Sequence, residues 1–367
     1  MPRRRSTIAR MEAFTGTRPL AQALDTTALE AWLAAHVEGF VGPLAIEQFK
    51  GGQSNPTYLL KTPGAQYVMR SKPAPVAKLL PSAHAIEREF QVMGALAGTD
   101  VPVPAMFALC EDEAVIGRAF YVMSFMPGRV LWDQSLPGMS NAERAAHYDE
   151  MNRVIAALHQ VDFKAVGLAA YGKAGNYFER QIGRWSKQYL ASVTEPNPAM
   201  DSLLAWLPAH IPASARDESE VAIVHGDYRM DNVVFHPTEP RVIAVLDWEL
   251  STLGHPLADF SYHCMSWHIK TSGAARGLGG KNLVELGIPS EREYVQRYCE
   301  RTGRADVGTV MADWNFYMAY NMFRIAAIVQ GIAKRVVDGT ASSEQARETA
   351  KGAKPLAELA WSFAQKA

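Results

Sequence analysis

The chain has little cysteine: Cys110, Cys264 and Cys299 lie far apart in 367 residues, with no Cys-x-x-Cys pair. Neither a disulfide framework nor a thiolate zinc site is indicated, and a reducing cytoplasm fits best. An excess of charge of either sign is also missing, since 37 basic residues face 38 acidic ones for a net charge of −1. No global field gathers nucleic acid or an acidic membrane, so neither is an expected partner and an anionic ligand must be met by a local site. Long apolar runs are absent too. The richest late stretch, Ala319 to Ala333, is broken by Arg324 and Gln330 and is too short for a bilayer, so a soluble protein is expected. Residues Met1 to Arg10 carry Arg3, Arg4, Arg5 and Arg10 without the apolar core of a secretory leader, and residues 1–20 read as a flexible basic arm. An Arg-rich organelle leader is the alternative reading of the same residues. Neither repeats nor low-complexity runs occur.

What is present is enough for a large core, with 48% hydrophobic residues. A chain of this length exceeds what one core usually supports, so two lobes around one cleft are expected. Leu29, Trp32, Leu33 and Val37 recur at helical spacing in Thr26 to Glu38. Strand-like segments follow at 45–50, 57–61 and 66–70, separated by Gly51-Gly52 and Pro63-Gly64, as in an antiparallel meander. Ser82 is placed to cap a helix whose apolar stripe is Ile86, Phe90, Met93 and Ala97. Two more strands are expected at 105–109 and 120–125. Pro127-Gly128 then ends the strand-rich part, and from Asn141 the pattern is mainly helical apart from strands between Val221 and Trp248. The expectation is an α+β chain with a nucleotide-binding lobe at 21–126 and a helical lobe at 127–367 that carries the catalytic and substrate sites. The Gly- and Ala-rich stretch Thr271 to Gly280 reads as a mobile loop.

The chemistry is concentrated in Val224-His225-Gly226-Asp227-Tyr228-Arg229-Met230-Asp231-Asn232-Val233-Val234-Phe235, followed by Val245-Leu246-Asp247-Trp248-Glu249. Asp227 and Asn232 are five residues apart, the spacing of base and metal-binding amide in a kinase loop written H-R-D-x-x-x-x-N. Asp247, fifteen residues further on, stands where the metal aspartate of D-F-G comes. Phosphoryl transfer needs an oriented hydroxyl, a metal and cations over the phosphates. Asp227 is the candidate base, and Asn232 and Asp247 are hard oxygen donors suited to Mg²⁺. His225, behind the carboxylate, reads as a buried scaffold residue.

Other positions follow from pattern. Lys50 to Asn55 lies between two strands, where Gly52, Ser54 and Asn55 are candidate phosphate contacts, although the full G-x-G-x-x-G is missing and a plain hairpin loop is the competing reading. Arg70 and Lys72 share one strand face, so either is placed to meet phosphates. Glu89, at the edge of the helical stripe, is the better carboxylate partner for Arg70 than Glu87. The strand Tyr121 to Phe125 offers Ser124 and Phe125 as a hinge for an adenine edge. Asp259, in Gly254-His255-Pro256-Leu257-Ala258-Asp259, is expected to cap the next helix and brace the catalytic loop.

With these residues assembled, the chain resembles the aminoglycoside phosphotransferase and choline kinase-like superfamily over roughly residues 25 to 335. Leu80 to Phe90, Tyr177 to Trp185 and Phe323 to Gly331 resemble the branch of kinase-like domains attached to acyl-CoA dehydrogenases. The resemblance implies a bilobal protein-kinase-like fold, ATP and Mg²⁺ as cofactors, Asp227 as base, Asn232 and Asp247 as metal ligands, and Arg70 in place of the usual strand lysine. It also implies transfer to a hydroxyl, with a hydroxyacyl-CoA as the specific substrate and an acyl-CoA dehydrogenase acting in the same pathway. Tyr177, Arg180, Arg184, Trp185 and Arg324 suit such an anionic substrate with a stackable base. Three other readings stand beside it: an aminoglycoside or choline-like kinase, a nucleotide-binding pseudokinase, and a metal hydrolase built on His225, Asp227, His255, His263 and His268, which match no recognised metal spacing.

Overall fold

The computed structural model describes residues 16–50, 55–73, 85–217, 219–272, 276–304, 306–341 and 343–367. The chain divides into two compact units, 1–132 with 166–168 and 230–251, and 133–165 with 169–229 and 252–367.

The first unit is built on a six-stranded antiparallel sheet in the order β1-β2-β3-β4-β6-β5. Its strands are β1 (Thr17–Arg18), β2 (Ala45–Phe49), β3 (Thr57–Lys61), β4 (Gln66–Ser71), β5 (Met106–Cys110) and β6 (Phe120–Ser124). The expected strands are recovered nearly to the residue. Within the segment expected as a basic arm, Thr17 and Arg18 pair with Phe49 and Gln48 at the sheet edge. The helix Thr26–His36 is capped by Asp25, whose side chain accepts the Ala28 N–H, and it buries Leu29 and Leu33. Those leucines join Tyr58, Leu60, Met69, Phe120 and Val122 in one core beneath the sheet.

The helix Ile86–Leu96 buries Ile86, Glu89, Val92, Met93 and Leu96. Its buried stripe is turned from the one expected: Phe90 is half-buried and Ala97 is exposed beyond the helix end. The reason is Glu89, which is drawn inward by polar partners described below. Ser82, the expected cap, lies outside the described residues, as does part of the 271–280 loop.

β8 (Val233–Phe235) and β9 (Val242–Val245) form a separate antiparallel hairpin. It packs with the first unit although its sequence lies in the expected helical lobe. Arg129 and Phe235 exchange backbone hydrogen bonds of 2.7 and 2.8 Å, and the Val245 N–H donates to Pro102 O at 2.8 Å. At Gly128 a Cβ would lie 2.3 Å from Phe235 O, so only glycine lets the chain pass the hairpin this closely. The first break in the chain therefore falls after Trp132 rather than after residue 126.

In the second unit, β7 (Ala222–Val224) pairs with β10 (Thr252–Gly254), and helices supply the rest. Helix Asn141–Gln160 starts in a reciprocal capping box between Ser140 and Glu143. The 24-residue helix Trp314–Val337 is buried along most of its length. Its Phe316, Tyr317 and Tyr320 surround Phe178, with ring centroids 5.0–5.6 Å apart. No helix among the described residues is long and apolar enough to cross a membrane.

Two histidines in this unit make its stability pH-dependent. Burial pushes His255 and His263 down to about 4. In the unfolded chain a histidine titrates near about 6.5. Between those values the unfolded state binds more protons, so stability is full above about pH 6.5 and falls as the pH drops toward 4. The slope is up to about 1.4 kcal/mol per pH unit for each histidine. A urea midpoint measured at pH 7.5 and again at pH 5 is expected to fall, and His263→Phe is expected to flatten the decline. An equal midpoint at both pH values would contradict it.

Candidate active site

In the first unit the cluster starts from strand register. β4 and β6 pair so that Arg70 stands opposite Tyr121. Arg70 reaches Glu89 Oε2 at 3.1 Å through Nε, and Asp247 Oδ1 at 2.6 Å and Glu249 Oε2 at 3.7 Å through Nη2. The Nε approach is an ion pair in distance without the alignment of a hydrogen bond. Glu89 is 1% exposed and also accepts the Asn55 amide and the Tyr121 hydroxyl, each at 3.0 Å. Burial pushes the Glu89 carboxyl up and Arg70 pulls it back. Burial likewise works against the Arg70 charge, but Glu89 and then Asp247 outweigh it and raise the guanidinium further.

A planar guanidinium serves three carboxylates in this geometry, which a lysine point charge would not. That accounts for arginine on this strand. Lys72 pairs instead with Glu87 near the surface. Replacing Arg70 with methionine leaves Glu89 buried without its cation, at an expected cost of about 3–5 kcal/mol. Chemical denaturation of Arg70→Met checks this; a change below about 1 kcal/mol would show that the network contributes little.

Asp247 sits at φ +66°, the left-handed region that aspartate and asparagine tolerate better than most residues. Val233 pairs with Val245, and the Leu246 N–H donates to Asn232 O at 2.8 Å. Asn232 and Asp247 therefore leave the same end of the β8–β9 hairpin. An amide oxygen and a carboxylate are the hard donors that Mg²⁺ takes from a protein when phosphates supply the remainder.

The expected nucleotide contacts fare unevenly. Gly52 and Ser54 lie outside the described residues. Asn55 is fully buried and directs its amide to Glu89, so it holds the ion-pair network rather than facing a phosphate. At the expected hinge, the Ser124 N–H donates to Ala105 O at 2.8 Å and its Oγ accepts the Ala105 N–H at 2.9 Å, joining the ends of β5 and β6. Phe125 follows, half-buried.

In the second unit the loop after β7 is held atom by atom. Asp259 accepts the N–H groups of His225 at 2.7 Å and Gly226 at 2.8 Å. It lies inside the helix Pro256–Cys264, whose cap is His255, so the bracing role stands while the capping role belongs to another residue. Burial works against the Asp259 charge, but His159 Nε2 at 3.3 Å and the two amides hold its carboxyl below the usual range. Gly226 has φ +83°, a conformation that suits glycine. His225 is fully buried, and its Nδ1 accepts the Asp227 N–H at 3.2 Å, which places the ring proton on Nε2.

The Asp227 carboxylate receives the Tyr262 hydroxyl on Oδ1, and the Arg229 Nε lies 3.8 Å from the same oxygen. Burial first, and the Asp227 charge next, push the Tyr262 phenol well above its ordinary range, so it stays a proton donor. Arg324 donates to Gly226 O at 2.6 Å. Tyr262, Arg229 and Glu249 went unnoticed in the sequence. Tyr262 was within reach, because it stands three residues after Asp259 on one helical face.

The expected acceptor residues divide. Trp185 and Arg324 are each 5% exposed, so they belong to the packing, and Arg324 serves the loop carbonyl. Arg180 donates to Lys173 O at 2.6 Å, and Tyr177 is half-buried. Arg184 is exposed, with its guanidinium 5.1 Å from the Trp185 ring centre. The hydrolase reading finds no support in the histidines. His255 accepts the Leu257 N–H, His263 meets the Tyr294 hydroxyl and His268 meets Glu291, so each is committed to a different neighbour.

A sheet unit carrying a buried Arg-Glu pair beside an aspartate, and a helical unit carrying a braced His-Gly-Asp loop, are the parts of a kinase-like phosphotransferase. The chain belongs to the phosphotransferase enzyme family, whose model matches residues 45–294. The family is one of phosphotransferase enzymes. The chain is 46% identical to acyl-CoA dehydrogenase family member 10 of Mus musculus over 95% of its own length and 32% of that protein. It spans less than half the length of the curated relatives it matches. Among solved structures it is similar to a putative aminoglycoside phosphotransferase from Ralstonia eutropha JMP134, with 64% identity, a TM-score of 0.84 and coverage of 94% of this chain and 99% of that one. The choline kinase of Cryptosporidium parvum shares the fold at 12% identity, with a TM-score of 0.60 and coverage of 91% and 96%.

Proposed function

We propose that this protein transfers the γ-phosphoryl group of Mg²⁺-ATP to the hydroxyl of a hydroxyacyl-CoA. The observation that carries the kinase part is the Arg70–Glu89–Asp247 network, which reproduces with arginine the strand-cation and helix-glutamate pair that kinases need in place for turnover. Arg70 would meet the phosphates, and Asn232 and Asp247 would hold Mg²⁺, which would supply charge neutralisation there. Asp227 accepts the proton of the attacking hydroxyl. The intact set of Asp227, Asn232 and Asp247 speaks against a pseudokinase, since a pure binder has no use for a base.

The acyl-CoA part rests on two supports. Relatives spanning over 90% of this chain carry the name acyl-CoA dehydrogenase. Arg184, exposed beside Trp185, offers a cation for an anionic ligand. An acyl-CoA dehydrogenase is then the natural partner in the same pathway. The test is ADP release across hydroxyacyl-CoAs, aminoglycosides, choline-like alcohols and sugars. Selective turnover of hydroxyacyl-CoAs supports the proposal, while selective turnover of aminoglycosides or choline-like alcohols would replace the acceptor.

A further inference from the structure

We infer that Tyr262 and Arg324 are positioning residues that aim the Asp227 carboxylate, acting as one clamp on the catalytic loop. The inference rests on Asp227 being the base, as proposed above. Its own support is geometric and lies within the second unit.

The helix Pro256–Cys264 presents Asp259 and Tyr262 three residues apart. Asp259 takes the N–H groups of His225 and Gly226, and Tyr262 takes Oδ1 of Asp227. One rigid helical face thereby holds three consecutive residues of the loop. From the helix Trp314–Val337, Arg324 takes the Gly226 carbonyl at 2.6 Å. Gly226 is gripped at both its N–H and its C=O, immediately before the residue whose carboxylate must point at the acceptor.

The guanidinium of Arg324 is itself fixed. It lies 5.1 Å from the Tyr262 ring centre and 5.6 Å from that of Trp185. The column Trp185–Arg324–Tyr262 thus joins three helices behind the loop, and its middle member is 5% exposed. Stacking orients the Tyr262 ring, and the ring orients its hydroxyl. A carboxylate held at Oδ1 has its plane set, which sets where Oδ2 points. Other charged or titratable groups facing this assembly are Arg229 and His225 beside Asp227, Asp259 behind the loop, and Tyr177 and Tyr320 near Arg324.

Tyr262→Phe keeps the ring for Arg324 and removes only the hydroxyl. With water as the acceptor, ADP release from Mg²⁺-ATP by the full chain is expected to fall about tenfold in kcat, the usual effect of losing one bond to a charged group, with KM for ATP unchanged. A second variant, Tyr262→3-fluorotyrosine, keeps both ring and hydroxyl and makes the hydroxyl the better donor. It is expected to keep kcat near that of the wild type, a readout that stands even where the phenylalanine variant folds poorly.

A kcat unmoved in Tyr262→Phe, or lost equally in both variants, while Asp227→Asn is inactive, would reduce Tyr262 to packing and overturn the clamp. Full activity in Asp227→Asn would remove the base assignment itself, a different failure with a different readout.

Discussion

Asp227→Asn is expected to lower phosphoryl transfer by at least about 10²-fold, the scale of losing general-base catalysis, while leaving Mg²⁺-ATP affinity near that of the wild type. The separation follows from what surrounds the residue. An asparagine oxygen still accepts the Tyr262 hydroxyl, and the backbone at 225–227 stays held by Asp259 and His225. The loop keeps its shape and loses only basicity. The proposed phosphate and metal contacts, Arg70, Asn232 and Asp247, are untouched by the change. Alanine would be a poorer test, because it strands a buried tyrosine hydroxyl and mixes a stability cost of about 1–3 kcal/mol into the kinetics. Single-turnover ADP formation together with calorimetric ATP binding checks the expectation. Undiminished turnover would remove Asp227 from the reaction.

The second large effect is expected at Asp247. Asp247→Asn should abolish the gain in nucleotide affinity that Mg²⁺ brings, a loss of at least about tenfold, which is the low end of the cost of disturbing even an outer partner of a metal site. The variant is chosen from the backbone. At φ +66° an alanine adds strain of about 1–2 kcal/mol, whereas asparagine visits that region readily. Asparagine also weakens the 2.6 Å pairing with Arg70, which keeps Glu89 as its buried partner. ATP titrations with and without Mg²⁺ separate the two contributions: nucleotide binding without metal should persist, and only the metal-dependent increment should vanish. An unchanged increment would mean that Asp247 serves Arg70 alone.

The parts of this protein that were legible in sequence are those whose physics is local. Period-2 alternation and Gly or Pro turns placed β2 to β4, because a strand's two faces and a turn's φ demands are written within a few residues. Helical phase selected Glu89 over Glu87 as the partner of Arg70, since three- and four-residue offsets decide which side chains turn inward. Asn232 and Asp247 were readable as a pair because a short hairpin brings the residues that flank its strands to one end.

Tertiary structure alone decided the rest. Arg70 and Asp247 are 177 residues apart, Arg324 and Gly226 are 98 apart, and Tyr262 reaches Asp227 across 35. No propensity or spacing encodes the first two of these pairs, which exist only where independent elements pack and a buried charge must find its partner. That is why Arg324, read from sequence as a hand for substrate, turned out to hold a loop carbonyl, and why Asn55, read as a nucleotide contact, turned out to join the protein to itself. The residue types and their order determined what chemistry this chain carries; close packing determined which of those residues are spent on holding the others in place.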